Sequence, residues 1–304
     1  MSMEGLLNNL PSPQFNRANL GFIPRRIVKW RVTDLALLAV LVISYFFIYR
    51  IKPFHRQFYI NDITLQHPFA ERETVNNLEL FIYSTWVPLV IALITSLILT
   101  KPKYKVYNTY VACLGLLLAV LVTSNVTDIL KNLIGRHRPD FLSRCKPDPS
   151  TPKDVLVSIE VCTSKDTGLL EDGYRTTPSG HSSIGFAGLV YLALFLMGQF
   201  QANSTRVGSW RTLLCGFTPL LVASFIALSR TEDYRHHFVD VFIGSMLGLV
   251  IGSWSYLRLF PWISNPQSYS NLIMIAEEEE DAENRHKVGD VVIDGEADTM
   301  LEDV

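Results

Sequence analysis

The sequence predicts an all-α membrane protein with six transmembrane helices, on three observations. Its 304 residues are 48% hydrophobic and only 18% charged, richer in apolar and poorer in charged residues than a soluble domain. Six apolar segments recur along it: Val32 to Tyr49, Leu80 to Thr100, Thr109 to Leu130, Ser182 to Phe200, Leu213 to Leu228 and Phe238 to Phe260. Most are close to the roughly 20 residues that a helix needs to cross the hydrocarbon of a bilayer. Between them, the polar residues that this composition leaves unexplained gather in three short clusters.

The first segment lies about thirty residues in and is too long for the apolar core of a cleaved leader, so it reads as a retained span. Arg17, Arg25, Arg26, Lys29 and Arg31 precede it and favour a cytosolic N-terminal segment over residues 1–31. Counting spans then puts the KPKYK loop after span two, the loop holding Arg206 and Arg211, and the C-terminus on that same side. Span five is the shortest, and Trp210 and Thr212 can extend it at the interface. The loop from Lys131 to Arg175 departs from the charge rule, because it carries eight Lys and Arg residues yet falls on the outer side. Either the orientation is inverted or those cations have another use.

Residues 32–261 thus form one six-span domain, and residues 262–304 a tail. From Glu277 to Val304 the tail holds twelve acidic residues against Arg285 and Lys287, a net charge of 2 − 12 = −10. A segment of that composition is expected to be disordered and solvated, with no catalytic part. Cys113 and Cys215 fall within spans and read as small hydrophobes. Cys145 and Cys162 share the long outer loop, where pairing and two free thiols both fit. Neither a CxxC pair nor an HExxH motif is present, so neither a metal nor another cofactor is expected. No nucleic-acid partner is expected either.

The three clusters are KNLIGRHRPD (131–140), TPSGHSS (177–183) and SRTEDYRHHFVD (229–240). One leaves span three, one enters span four, and one joins spans five and six, so all three lie on one face of the membrane whichever way the chain is oriented. Lys131, Arg138 and Arg230 supply three cations. Ser179 and Gly180 stand where span four begins, with helix amide groups open to an anion. That combination suits a phosphate. In a helix starting near His236, Asp240 is four residues on and shares its face, whereas His237 points about 100° away. Only His236 then gains a carboxylate, which would fix its tautomer and leave the other nitrogen as base or nucleophile. A His-Asp pair serving only as a structural hydrogen bond fits the same spacing. His181 would be free to protonate a leaving oxygen. Arg136, His137, Arg235 and His237 are expected at the surface or at a lipid headgroup.

KNLIGRHRP, PSGH and SRTEDYRHHFVD resemble the three signature motifs of the type 2 phosphatidic acid phosphatase superfamily, complete and in order around six spans. The resemblance implies the helical-bundle core of that superfamily and magnesium-independent hydrolysis of membrane lipid phosphates, among them phosphatidate, lysophosphatidate and diacylglycerol pyrophosphate. It makes His236 the nucleophile that forms a phosphohistidine, Asp240 the residue holding its imidazole, and His181 the leaving-group acid. Lys131, Arg138, Arg230, Ser179 and Gly180 become the phosphate ligands. It also implies cytosolic termini, a lumenal site and a vacuolar membrane. A lipid phosphotransferase of the sphingolipid synthase kind would share the phosphohistidine but release no inorganic phosphate. A polytopic scaffold or transporter would explain the spans but not six such residues at these spacings on one face. The spans exclude a soluble haloperoxidase with the same anion pocket.

Overall fold

The computed structural model describes residues 29–204, 208–283 and 285. Arg17, Arg25, Arg26, Arg206 and the tail from 286 onward lie outside the described residues. In chain order the helices are α1 (Val32–Arg50), α2 (Asn77–Leu99), α3 (Lys105–Ile134), the short α4 (Phe141–Cys145) and α5 (Thr167–Asp172), α6 (Gly180–Gln199), α7 (Trp210–Glu232) and α8 (Phe238–Leu257). A last helix, α9, covers residues 272–283. Helices α1, α2, α3, α6, α7 and α8 are long and apolar enough to cross a membrane, one for each predicted segment. Span five does begin at Trp210, as the interface residues suggested. Span three runs past Leu130 to Ile134, which puts Lys131 on the helix.

The bundle is built around α6. In its most apolar stretch 72% of residues are buried, against 6% in α1. The intimacy of α6 with α8 has a simple cause in the sequence. Gly244, Gly248 and Gly252 recur every fourth residue on α8, and a Cβ added at each would stand 2.5, 2.2 and 2.6 Å from the carbonyl oxygens of Ser179, Ser183 and Ala187. Those three also recur every fourth residue, so two helix backbones touch along three turns with no side chain between them. The first rung joins the start of α6 to the second turn of α8 and so fixes the site.

Two spans carry a proline just after a π turn. Pro88 has no N–H to give the Ser84 carbonyl four residues earlier, and just before it the Val87 N–H reaches back five residues to the Ile82 carbonyl, a π turn over Ile82–Trp86. The same device recurs at Leu213–Phe217 before Pro219. The Ser84 carbonyl lies against α6, where a Cβ at Gly188 would come within 1.9 Å of it.

Helix α1 exposes Val40, Ile43, Phe46 and Phe47 and is held chiefly by polar contacts, as helices in lipid commonly are. Asp34 takes both terminal nitrogens of Arg258 at 3.0 and 3.1 Å. Ser44 donates to Asn125 Oδ1 at 2.7 Å, while Asn125 Nδ2 donates to the Leu41 carbonyl.

The loop between α3 and α6 packs with the loop between α1 and α2 around a shared apolar core: Phe58 and Leu65 from the latter, Phe141, Val157, Leu170 and Tyr174 from the former. Cys145 and Cys162 are joined there in a disulfide, which decides the alternative the sequence left open.

At the far end the tail does not leave the protein where its composition suggested. Asn271 donates to Asn108 at 3.0 Å, Met274 is buried in the main core, and Glu277, Glu278 and Asp281 pair with Lys29, Lys101 and Lys103. Where a solvated segment was expected from Glu277 on, the residues described through 283 continue a helix held to the bundle. One buried methionine and one buried asparagine anchor a helix whose acidic face meets the lysines.

Candidate active site

Glycine 135 begins the site. Its φ of 59° lets its N–H return to the Lys131 carbonyl and end α3, and an added Cβ would lie 1.9 Å from the Phe54 carbonyl oxygen, so only glycine fits. Lys131 is thereby placed on the last helical turn and Arg138 in the loop beyond. Lys131 Nζ donates to the Arg175 carbonyl at 2.6 Å. Arg138 gives Nε and Nη2 to the carbonyl and carboxylate of Asp172, at 2.9 and 2.8 Å. Burial works against ionisation of Asp172, but Arg138, Arg144 and Lys131 outweigh it and hold its carboxyl down at about 2.

The start of α6 comes to the same place. Ser179 is its N-cap, with its N–H donated to the Asp240 carbonyl at 3.0 Å and its hydroxyl oxygen accepting from the Ser182 N–H. A Cβ added at Gly180 would be 3.6 Å from Lys131 Cε, so the amide end of α6 and the lysine lie side by side. His181 is buried and donates Nε2–H to the Val75 carbonyl at 3.1 Å. A carbonyl only accepts, so the proton sits on Nε2 and Nδ1 is left for exchange.

Arg230 also arrives, already paired. Its Nη1 donates to Glu73 at 2.8 Å and its Nη2 to Asp233 at 2.7 Å. Glu73 takes Arg235 as well, at 3.1 Å.

His236 is buried at the junction of α7 and α8, and its imidazole pKa lies well below the usual histidine range. Burial is the main cause, followed by Arg138, Lys131, His181 and Arg230. Those neighbours are four residues drawn from all three clusters, so the composite site expected from the spans forms. One detail differs. Asp240 does not touch His236, because α8 starts at Phe238 and His237 is its cap, with φ −74° and ψ 156°. Neither histidine is helical, and the four-residue face rule does not apply to them. Asp240 instead accepts the His237 N–H at 2.8 Å and lies 3.2 Å from His237 Nδ1. It also takes Arg136 at 2.9 Å and the hydroxyls of Thr176 and Thr177. His236 Nδ1 is 3.1 Å from Thr176 Oγ1, so carboxylate and imidazole are linked through a threonine.

The predicted residues Lys131, Arg138, Ser179, Gly180, His181, Arg230, His236 and Asp240 therefore share one end of the bundle. Sequence reasoning missed Glu73, Thr176 and Asp172, which lie outside the motifs. It also assigned Arg136, Arg235 and His237 only to the surface or a headgroup, although all three bond to carboxylates of the site. The excess of carboxylates over what a lone anion pocket needs was the available signal.

The geometry agrees with what comparison with known proteins finds. Residues 111–263 match the PAP2 superfamily. The chain belongs to that superfamily. It is 48% identical over 246 residues to diacylglycerol pyrophosphate phosphatase 1 of Saccharomyces cerevisiae, covering 81% of this chain and 85% of that protein. A probable diacylglycerol pyrophosphate phosphatase 1 of Schizosaccharomyces pombe is 38% identical over 86% of this chain and 92% of its own. Lipid phosphate phosphatase 2 of Arabidopsis thaliana is 33% identical over 80% and 82%. No solved structure matches. The PAP2 match begins at Val111 and ends at Ile263, so it takes in all three clusters but not Glu73.

Proposed function

We propose that this PAP2 phosphatase hydrolyses diacylglycerol pyrophosphate to phosphatidate, and phosphatidate to diacylglycerol, through a phosphohistidine at His236. The observation that carries this reading is the environment of His236: buried, 3.1 Å from Thr176 Oγ1 through Nδ1, and close enough to Lys131, Arg138, Arg230 and His181 that they, with burial, hold its pKa low. The Nε2 lone pair of His236 attacks phosphorus, an N–P bond forms, and the bond to the leaving oxygen breaks. His181, which takes up a proton at Nδ1 with the incoming phosphate, gives it to that oxygen. Water then attacks the phosphohistidine as His181 recovers a proton, and inorganic phosphate leaves. Lys131, Arg138, Arg230 and the amide end of α6 at Ser179 and Gly180 stabilise the equatorial oxygens. Cations in these positions supply the charge that a divalent ion would otherwise provide, so activity without magnesium is part of the proposal.

A site at the end of the helices meets a headgroup at the interface with no need to extract the acyl chains. The disulfide on this face supports an oxidising side, and the lysines on the other face support a cytosolic one. We place both termini in the cytosol and the site in the lumen, of the vacuole by preference. Asn203, in the sequon NST, then stays unglycosylated. The test is phosphate release by the purified protein from diacylglycerol pyrophosphate, phosphatidate and lysophosphatidate in excess EDTA. Complete loss of release, restored by magnesium, rejects the metal-free mechanism. Headgroup transfer to a second lipid with no free phosphate would instead identify a transferase.

A further inference from the structure

We infer that Thr176 is a positioning residue for the nucleophile: its hydroxyl, set between Asp240 and His236, decides which imidazole nitrogen attacks. The inference rests on the reading of His236 as nucleophile, and the geometry supplies the rest. A threonine hydroxyl has one proton and can accept as well. Thr176 Oγ1 lies 2.8 Å from Asp240 Oδ2 and 3.1 Å from His236 Nδ1. The carboxylate can only accept, so the hydroxyl proton goes to Asp240. The oxygen must then accept from the imidazole, and Nδ1 must carry the imidazole proton. Nε2 is left with its lone pair. Asp240 thus acts on His236 at one remove, by orienting a hydroxyl.

The contacts around this bridge are fixed. Thr176 has no exposed surface, nor does Asp240. The Thr176 N–H is tied to the Arg136 carbonyl at 3.3 Å, and Arg136 in turn donates to Asp240 Oδ1. His236 is anchored by its N–H to the Arg230 carbonyl at 3.2 Å, so ring and hydroxyl are each held from their own backbone. Thr177 provides an internal control, since it donates to Oδ1 of the same carboxylate and makes no hydrogen bond to His236. A role in binding Asp240 alone is shared by the two threonines, and contact with the nucleophile belongs to Thr176.

Three variants read the difference. Thr176→Val keeps the shape and removes both bonds, Thr176→Ser keeps the hydroxyl, and Thr177→Val removes a bond to Asp240 only. Phosphate release and the rate of phosphoenzyme formation in a single turnover would be measured on the full-length protein in detergent, at matched thermal stability. Thr176→Val should lower kcat and the phosphorylation rate about 100-fold, the loss expected of a misplaced catalytic base or nucleophile, with KM within about twofold. Thr176→Ser should recover to within a few-fold, and Thr177→Val should lose far less than Thr176→Val. Equal losses in Thr176→Val and Thr176→Ser, or wild-type phosphorylation by Thr176→Val, overturn the inference. An absent phosphoenzyme in the wild-type chain overturns the nucleophile reading itself, a different failure. Should Thr176→Val not fold, the histidine 15N spectrum of the wild type decides: His236 must be the Nδ1–H tautomer, and an Nε2–H signal for it ends the proposal.

Discussion

Both ends of the bundle are laced with ion pairs, but the pairs differ in kind. At the far end, apart from the Arg258–Asp34 pair that holds α1, Lys29, Lys101 and Lys103 meet Glu277, Glu278 and Asp281 in partly or largely exposed contacts. At the site end the cations are mostly arginines and the pairs go deep: Arg144 and Asp140 have no exposed side-chain surface, and Arg230 with Asp233 has very little. A lysine on a flexible stem in water gains little from its partner, whereas a planar guanidinium forked onto a buried carboxylate holds a fixed geometry. Of Lys131, Arg136, Arg138, Arg144, Arg230 and Arg235, only Lys131 has no carboxylate partner among the described residues. The carboxylates at this end therefore set the arginines in place, while Lys131 is held by the Arg175 carbonyl instead.

The strongest way to break the contrast is at its centre. His236→Ala should reduce phosphate release at least about 10³-fold, while His237→Ala, whose backbone N–H still reaches Asp240, should stay within about tenfold of wild type. A dead His237→Ala beside an active His236→Ala would reverse the assignment of the third cluster.

Removing a buried arginine should unfold before it inactivates. Arg144→Met leaves Asp140 and Asp172 without a partner on that side and should cost about 3–5 kcal/mol, read as a fall in the unfolding midpoint in detergent. An unchanged midpoint would mean that the carboxylates find water or Arg235 instead.

A third test uses acid. His137 is buried against Phe58, Phe141 and Tyr174, and burial brings its pKa down to about 4. Above the ordinary histidine value of about 6.5 neither state binds the proton, so nothing is lost. As pH falls from there toward 4 the unfolded chain is protonated first, and stability drops by about 2 kcal/mol at pH 5. His137→Phe should flatten that part of the pH–stability curve, and an identical slope would remove His137 from the account.

The smallest effect belongs to the far end. Lys101→Ala with Lys103→Ala should change stability by about 1 kcal/mol or less and leave phosphate release unaltered. A loss of activity comparable to that of a site variant would show that the two ends are coupled.

Much of this was legible in the sequence, and the exceptions share a cause. Hydropathy finds six spans because lipid imposes one rule on every residue between Val32 and Arg50, or between Phe238 and Leu257. The motifs give His181, His236, Lys131, Arg138, Ser179, Gly180 and Arg230 because each cluster is local. What failed was any contact depending on where a helix starts or on residues far apart. A two-residue displacement of the start of α8, from His236 to Phe238, moved Asp240 from His236 to His237. Glu73 precedes its partner Arg230 by 157 residues, and nothing near it announces the pairing. The glycines of α8 at every fourth position were in plain view as a close-packing signal. The anchoring of the tail was not, since Asn271 and Met274 are single residues in a polar stretch.

The π turn at Pro88 bears on how this chain can change over generations. The Ser84 carbonyl, which Pro88 has no N–H to bond, occupies the space that any side chain at Gly188 would need. A mutation at Gly188 arriving first is a collision. A mutation at Pro88 arriving first restores an N–H, draws the carbonyl back into its own helix and opens the space. The two sites, a hundred residues apart, are thus tied by order of inheritance: the proline must go before the glycine can, and lineages that have lost only the glycine should not exist.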